Sequence, residues 1–597
     1  MEVVKNQSTG RNEPQLLVTQ HGLLVALGVY AQQIGLIKAI EGVPIKQQTH
    51  KHTPQRKVIE FFVAILGGLA HLQDISQAAH PLDKDKAVAE AWGQSEWAHY
   101  SGVSRTLQGL SKSEMLALWA AIDKVEQPEI EAEIGKALQQ VGKLMWDIDL
   151  TGRSVSSTSS SYPDTAFGHM GDTIELGYQA ALISQHSPTY GRLWLTNQLH
   201  SGDTVSATQL QPMVRAAEAR ANLRPRRRTE LLQQRLDDLA EQQAQLAERA
   251  AASLAKLEAT QTALDDCQQQ LVNWEQQTQD IAAVYEAIGR LPTAHCKLAR
   301  AQRKVNTFSK RLPRLQKQLA RAERRQQRQQ QAALAHASSL THLQAWQQQL
   351  LQDNLANPCP VRIILRLDAG FASRDNIAWL IEMGYEIYTK ARQSSLVPLL
   401  KTAVSTDTAW QSVGSNASLC CWKDWHDPTQ FAYPLDVALL RYTLPKQTKH
   451  AVLLHFGQDG VVNQPQSWFH TYNGRQTIEA GIKEGKNVFQ MHHLKVRSPH
   501  ALKLQERFAC LAANLVRFAT PWLRQQQTTP TPAISTSVKR MVSVAAHASA
   551  VVIRHEDNWF LRFSAQSLYA DHTLRFSIQP IQMPLPFEAT GFHFSHF

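Results

Sequence analysis

Residues 143–151 read KLMWDIDLT, a stretch in which apolar and polar side chains alternate. The even-numbered residues from 144 to 150 are all apolar and would share one face of a strand. Asp147 and Asp149 would lie together on the opposite face. The pattern predicts a half-buried strand that carries two carboxylates, and each of them is a candidate for a functional site.

Other strands and helices are predicted outward from this stretch. IELGYQAALIS (174–184) and YGRLWLTNQL (190–199) predict strands, and residues 204–223 predict a helix. Much later, PVRIILRLDAGF (360–371) predicts a buried strand that ends at Asp368. A helix (373–384), a strand (385–391), several strands within 395–470 and a long helical pair from Asn473 to about Leu523 follow. The predicted fold class is therefore α/β.

The order of these elements is that of the RNase H-like fold, in which two central strands lie side by side and a late helix crosses nearby. In that fold Asp149, Asp368 and Glu479 would meet at one edge of the sheet. Three unpaired carboxylates repel one another, and hard divalent cations remove that cost. The trio therefore predicts ligands for two Mg²⁺ ions, or Mn²⁺ in their place, that serve a phosphoryl displacement.

The segment between Asp149 and Asp368 has a different composition. Residues 225–354 are rich in Gln, Ala, Leu and Arg, and a heptad repeat of mostly apolar residues runs through two arms that flank the turn GRLP (289–292). This predicts a long antiparallel coiled-coil insertion, with Pro313 kinking or interrupting the second arm. The first arm is acidic and the second basic, so the basic arm either binds a DNA backbone or pairs with the acidic arm.

Residues 471–489 read TYNGRQTIEAGIKEGKNVF. On one continuous helix, Tyr472, Arg475, Glu479 and Lys486 would fall within roughly 60° of one face and span about 21 Å along the axis. One metal ion cannot contact all four side chains over that length. The spacing favours Glu479 over Glu484 as a metal ligand, with the other three residues along a DNA backbone.

These four residues match, at every position, the Tyr-x-x-Arg-x-x-x-Glu-x6-Lys signature of a group of DDE transposases from bacterial insertion sequences. Asp149 in DIDLT and Asp368 in LRLDAGF resemble the two Asp motifs of that group. The resemblance covers roughly residues 141–224 and 355–525. The coiled coil departs from it, because members usually carry a β-rich insertion between the second Asp and the Glu, where residues 395–470 lie here.

The resemblance implies an enzyme that cleaves DNA at transposon ends and transfers the strand into target DNA. Its partners would be terminal inverted repeats, target DNA and further copies of itself, as a homodimer or higher assembly. Asp149, Asp368 and Glu479 would be catalytic metal ligands, and Tyr472, Arg475 and Lys486 would contact DNA. A non-catalytic, domesticated DNA-binding protein and an RNase H-like nuclease without strand transfer remain as alternatives.

Bulk properties agree with a nucleic-acid partner but do not select one. The net charge is +11 and the isoelectric point is about 9.3. The six cysteines form no CxxC pair, which suits a reducing compartment, and the longest apolar stretch (58–72) is too short to span a bilayer. We therefore expect a soluble bacterial protein of the cytoplasm, associated with the nucleoid when bound to DNA.

The predicted organisation has five parts. For the first part, two interpretations are open: a helix-turn-helix that contacts DNA through Ser104 and Arg105, and a helical bundle without special chemistry. The parts are a helical N-terminal DNA-binding domain (1–140), the first part of the catalytic core (141–224), the coiled-coil hairpin (225–354), the second part of the core (355–525) with its β-rich insertion (395–470), and a small C-terminal element (538–597).

Overall fold

The computed structural model describes most of the chain. The described residues are 15–49, 51–392, 395–404, 410–427, 429–528, 537–555, 558–567, 570 and 572–577. The protein divides into two compact units, one formed by Met1–Arg226 with Cys359–Phe597 and the other by Arg227–Pro358. Within the predicted C-terminal element (538–597), residues 556–557, 568–569, 571 and 578–597 lie outside the described part of the chain.

The N-terminal region is helical, as predicted, except at its first element. Residues 16–19 lie within the part predicted to be helical (1–140) but form an edge strand, β1 (Gln15–Thr19), because their backbone pairs with a distant strand. The helices are α1 (Gly22–Gln33), α2 (Leu36–Glu41), α3 (Pro54–Leu66), α4 (Asp74–Gln77), α5 (Lys86–Ala91), α6 (Tyr100–Gln108) and α7 (Lys112–Val141).

Local chemistry explains where the longest of these helices begins and ends. Ser111 and Glu114 form a capping box at the start of α7, each side chain accepting from the other's backbone N–H. The helix ends where Gly142 takes a left-handed conformation, with φ of 69°. This turn sends the chain directly into the strand that carries Asp149.

A ten-stranded mixed sheet forms the centre of the larger unit, and it confirms the predicted mixed α/β class. Its first half contains β2 (Leu144–Ser154), β3 (Ala166–His169), β4 (Ile174–Ser187) and β5 (Gly191–Ser201), followed by α8 (Ser206–Ala221). The second unit contains the next two helices, α9 (Thr229–Ala287) and α10 (Lys297–Leu355). After it come β6 (Ile363–Arg366), α11 (Arg374–Glu382), β7 (Glu386–Lys390) and α12 (Leu396–Ala403).

The region predicted as a β-rich insertion is part of the same sheet. Its strands are β8 (Gln411–Gly414), β9 (Ala417–Trp425), β10 (Leu435–Thr443) and β11 (Thr448–Phe456). They continue the sheet beyond β7, because β11 pairs antiparallel with β7. The order across the sheet is β3-β4-β2-β6-β7-β11-β10-β9-β8, and β5 pairs with β4.

Three helices follow the sheet, where the sequence predicts one long pair. They are α13 (Pro465–Asn473), α14 (Gln476–Asn487) and α15 (Pro499–Gln525). Most of α15 is buried, and its Asn514 donates to Glu126 of α7 at 3.0 Å and to the carbonyl of Trp194 in β5 at 3.0 Å. This helix thereby ties the N-terminal helices to the sheet.

The last described elements are one helix and three strands, and the first of these strands pairs with β1. They are α16 (Val538–Ser543), β12 (Ala550–His555), β13 (Asn558–Phe563) and β14 (Thr573–Ser577). Together with β1 they form a four-stranded antiparallel sheet of order β1-β12-β13-β14. The predicted N-terminal and C-terminal parts therefore share one sheet. No described helix is long and apolar enough to cross a bilayer.

The second unit consists of α9 and α10, which correspond to the two predicted arms and run antiparallel. Gln347 donates to Gln233 at 2.7 Å near one end, and the Cys267 thiol approaches the Phe308 carbonyl oxygen at 3.8 Å nearer the other. Every buried residue of the two helices belongs to the predicted apolar seam. Of the two outcomes predicted at Pro313, a kink or an interruption, the interruption is wrong: α10 continues through this exposed proline and loses the one backbone hydrogen bond that its N–H would donate.

Candidate active site

Strand register brings the first two predicted carboxylates to the same level of the sheet. β2 and β6 are parallel neighbours, with Asp147 opposite Arg366. Two residues further along each strand lie Asp149 and Asp368, on the same face as that pair. Asp368 is the second residue after the end of β6 and immediately precedes a short 3₁₀ turn, Ala369–Phe371. The carboxylates therefore sit side by side where the two central strands separate.

The third predicted carboxylate reaches this edge from α14, and Arg475 contacts all three. Its guanidinium lies 3.3 Å from the Asp149 carboxylate, 4.0 Å from Asp368 and 2.8 Å from Glu479. The Arg475 side chain is only 12% exposed, while those of Asp368 and Glu479 are about half exposed. One buried cation thus neutralises an acidic cluster that opens toward solvent on one side.

The single helix expected across residues 472–486 is wrong. α13 ends at Asn473 and α14 begins at Gln476, so Gly474 and Arg475 form a join in which backbone hydrogen bonds tighten to the i→i−3 pattern. A Cβ atom at position 474 would overlap the guanidinium of Arg366 beneath it, which explains the glycine. The join turns Arg475 toward the carboxylates.

Burial and neighbouring negative charges both act on the Asp149 carboxylate. Its pKa is raised to about 6, chiefly by burial and in smaller part by the negative charges of Asp368 and Glu479. The Arg475 guanidinium and the backbone N–H of Leu150, which donates at 2.9 Å, oppose this rise. Asp149 is therefore a carboxylate whose ionised form depends on a nearby cation.

The two rival acidic residues have other partners. Asp147 forms a bidentate ion pair with Arg366, with N–O distances of 2.5 and 2.7 Å, and both side chains are buried. Glu484 accepts from Arg517 of α15 at 2.7 Å. Neither carboxylate contacts Arg475, and each is neutralised by its own arginine. The geometry therefore favours Asp149 over Asp147 and Glu479 over Glu484.

The other residues of the sequence signature occupy unlike environments. Tyr472 is 4% exposed and packs in the core of the sheet, so its ring has no surface for the predicted DNA contact. Burial raises its pKa to about 12. Lys486, in the last turn of α14, is half-buried, and burial lowers its pKa. Tyr472 supports the site from below, while Lys486 remains near the surface.

Lys390 belongs to this site, and the sequence analysis missed it. It ends β7, whose parallel register with β6 puts it level with Asp368. Its ammonium lies 5.4 Å from the centre of the Tyr472 ring, a cation–π contact. Burial chiefly, and also Arg475, lower its pKa, whereas Asp368 and Glu479 raise it. Its position depends on strand pairing, which local sequence patterns do not report.

The donor chemistry of the cluster suits a hard cation. Three carboxylates and no thiolate or imidazole converge on one edge, a set that matches the oxygen preference of Mg²⁺ and Mn²⁺. Among the described residues, no group of three acidic, His or Cys side chains is spaced closely enough to hold a metal ion. The cluster is instead arranged around the guanidinium of Arg475.

Comparisons with known proteins add little to this geometry. No protein-family model matches the chain, and no curated protein does. A solved structure described as a cryo-EM structure of the piggyBac transposase synaptic complex with hairpin DNA is similar at a TM-score of 0.37 and 10% identity, over 89% of this chain and 83% of that one. A TM-score this low does not establish a shared fold, so nothing is transferred from that protein.

Proposed function

We propose that this chain is a DDE-type transposase of the bacterial insertion-sequence group with the Tyr-Arg-Glu-Lys signature. The observation that carries the proposal is the convergence of three acidic residues that are far apart in the sequence. Asp149, Asp368 and Glu479 each lie within 4.0 Å of the Arg475 guanidinium at one sheet edge.

The strand arrangement supports an RNase H-like core. The neighbours β5-β4-β2-β6-β7 have the order 3-2-1-4-5 when numbered along the chain. The pairs β5-β4 and β4-β2 are antiparallel, and β2-β6 and β6-β7 are parallel. In this arrangement the first and fourth strands are adjacent, which is what two catalytic carboxylates at one edge require.

Within this proposal Asp149, Asp368 and Glu479 would hold Mg²⁺, or Mn²⁺, at the sheet edge, with their carboxylates drawn closer together than they lie around the Arg475 guanidinium. When bound, such ions polarise a phosphate group and lower the pKa of an attacking water. Arg475 keeps the three carboxylates from repelling one another before DNA arrives, and Lys390 adds a second positive charge at the same level. Lys486 and Arg475 are the proposed contacts to the DNA backbone, and Tyr472 is a positioning residue.

One experiment tests the proposal as a whole. The purified chain would be incubated with Mg²⁺ and duplex DNA that carries the inverted repeats flanking its gene, beside a target plasmid. We expect cleavage at the repeat ends and joining to the plasmid, with the active species a homodimer or larger. Cleavage without joining would support a nuclease instead, and DNA binding without either reaction would support a non-catalytic DNA-binding protein.

The cleavage rate at subsaturating Mg²⁺ is expected to fall as the pH falls through about 6. Protons compete with cations for Asp149, whose pKa is raised to about 6. The carboxylate is ionised above that pH, and below it the ionised fraction drops about tenfold per pH unit. Initial cleavage rates between about pH 5 and about pH 8 measure this dependence. DNA binding without metal ions is measured at each pH to check that the DNA stays bound. A flat rate profile with DNA fully bound would contradict the role of Asp149.

Replacing Lys390 by Met is expected to slow cleavage roughly tenfold to a hundredfold, because the site loses a positive charge level with Asp368. Met keeps the aliphatic contact with the Tyr472 ring, so the melting temperature should stay close to that of the wild type. Lys390→Arg is the matched control and should retain most of the activity. Equal rates for Lys390→Met and the wild type would exclude Lys390 from the site.

A further inference from the structure

The basic arm of the helical hairpin has a strongly one-sided charge distribution. Residues 297–328 of α10 contain twelve Lys or Arg residues and a single acidic residue, Glu323. All twelve basic side chains are exposed. With heptad letters assigned so that Leu298 is a and Ala301 is d, the buried seam occupies a and d. Every one of the twelve falls at position c, f or g, three positions that are adjacent around the helix.

These three positions form what is called here the basic face. It has 14 sites between residues 297 and 328, of which twelve are Lys or Arg and the other two are Thr307 and Gln318. The opposite flank, positions b and e, has nine sites and no basic residue. The basic face comprises Lys297, Arg300, Arg303, Lys304, Lys310, Arg311, Arg314, Lys317, Arg321, Arg324, Arg325 and Arg328, with Thr307 and Gln318.

The acidic residues of α9 do not neutralise the basic face. In an antiparallel pair, the g positions of the two helices lie on the same flank of the interface. The α9 residues at position g that face this part of α10 contain no Asp or Glu; they are Arg249, Lys256, Ala263, Gln270, Gln277 and Val284. Across the described part of the chain, no ion pair joins any basic residue of 297–328 to a carboxylate. The interpretation that the acidic arm pairs with the basic arm is therefore not supported.

The chemistry of the basic face fits a nucleic acid better than another protein. Protein interfaces have cores rich in aromatic and other apolar residues and are depleted in Lys, and this face has no apolar residue at all. At 1.5 Å per residue it runs for roughly 47 Å, a length equal to about 14 base pairs. Regularly spaced guanidinium groups along such a length match the repeating phosphates of a duplex.

We propose that the basic face of α10 binds the backbone of double-stranded DNA, independently of its sequence. The inference rests on the proposed transposase function only in choosing DNA among polyanions. Each Lys or Arg side chain that contacts a phosphate releases counterions from the duplex. The logarithm of the binding constant therefore falls linearly with the logarithm of the salt concentration, by about 0.9 per phosphate contacted. The number of contacts made by the face can therefore be read from the salt dependence.

The test compares two variants of the full chain. The neutralised variant carries Arg314→Gln, Arg321→Gln and Arg324→Gln on the basic face. The relocated variant carries the same three changes together with Gln302→Arg, Gln316→Arg and Gln327→Arg on the opposite flank, so its net charge equals that of the wild type. All six positions are exposed, and Gln and Arg have similar helix propensities, so circular dichroism and melting should be unchanged.

Binding to two unrelated duplexes of about 30 base pairs is measured without Mg²⁺ over a range of salt concentrations. We expect the neutralised variant to bind both duplexes roughly tenfold to a hundredfold more weakly, with a salt slope shallower by about two to three. The relocated variant should behave like the neutralised one. Wild-type binding by the relocated variant would overturn the proposal, because net charge alone would then suffice.

Two further outcomes would also overturn the proposal. One is an unchanged salt slope in the neutralised variant. The other is a loss of self-association in sedimentation with DNA affinity intact, which would assign the face to a second copy of the chain. Mg²⁺-dependent cleavage is recorded separately on the same samples. A wild type that binds through the face but never cleaves defeats the transposase proposal alone, and cleavage with an unchanged slope defeats only the basic-face proposal.

Discussion

Replacing Asp149 by Asn is expected to lower the DNA cleavage rate by roughly 10³-fold or more, with the fold intact. The amide has the size of the carboxylate and keeps an oxygen that accepts from the Leu150 N–H. It removes the charge through which Asp149 would hold a metal ion. The effect is large because no neighbour can replace this carboxylate: Asp147 on the same strand is bound to Arg366.

The same substitution should leave stability unchanged or raise it. The folded-state pKa of Asp149 is raised to about 6, above the value of an unfolded Asp. Ionising it therefore costs folding free energy, a cost that is absent below about pH 4 and fully present above about pH 6. At neutral pH the Asn variant avoids this cost and should gain up to about 3 kcal/mol in the free energy of unfolding.

Single-turnover cleavage and urea unfolding on the same preparation check both halves of this prediction. Asp424→Asn is the matched control, since Asp424 is an exposed carboxylate of β9, five strands away from β2 in the sheet. It should cleave like the wild type. If the Asp149 variant cleaves at the wild-type rate, or if it loses activity only because it unfolds, the assignment of Asp149 to the reaction is wrong.

Local periodicity explains which parts of the fold were predictable. The alternation in 143–151 and the heptads of 229–351 are properties of short windows, and the strand β2 and the helices α9 and α10 follow them. β1 was not predictable, because its residues read as helical and become a strand only by pairing with β12. The break between α13 and α14 was missed for a similar reason: Gly474, which lies in it, packs on Arg366, 108 positions earlier in the chain.

The candidate site shows the same division. The order of the predicted elements nominated Asp149 and Asp368, and helix spacing nominated Glu479. Asp147 stayed a rival because alternation puts both Asp residues on one face. Only the β2–β6 register separates the two, by putting Arg366 opposite Asp147. Lys390 needs two strand registers in succession to come level with Asp368, and this lies beyond any local pattern. Residues that act through long-range pairing are the ones that sequence reasoning misses.

Replacing Asp147 by Asn is expected to give the opposite result to Asp149→Asn, a loss of about 3–5 kcal/mol in the free energy of unfolding. Arg366 would then be a buried cation without its carboxylate, in a site where both side chains are less than 5% exposed. Burial raises the pKa of Asp147, whereas the bidentate hydrogen bonds and the charge of Arg366 lower it. The ionised carboxylate therefore depends on its contact with Arg366. Removing one partner exposes the full desolvation cost of the other.

The loss should also reach the active site, because this ion pair lies beneath the α13–α14 join. Arg366 donates to the carbonyl of Thr471 at 3.0 Å, and the Thr477 hydroxyl donates to Asp147 at 3.2 Å. One partner thus holds the end of α13, the other holds the start of α14, and Arg475 lies between them. Asp147 is a positioning residue, so cleavage should fall together with stability in the single variant.

A double variant, Asp147→Asn with Arg366→Met, separates the two effects. With both charges removed, no buried ion is left unpaired, and most of the lost stability should return. Cleavage should stay reduced, because neither Thr471 nor Thr477 regains its charged partner and the join is no longer fixed. Urea unfolding and single-turnover cleavage of the two single variants and the double variant complete the cycle. A double variant that recovers full activity would mean that the ion pair contributes stability alone and does not position Arg475.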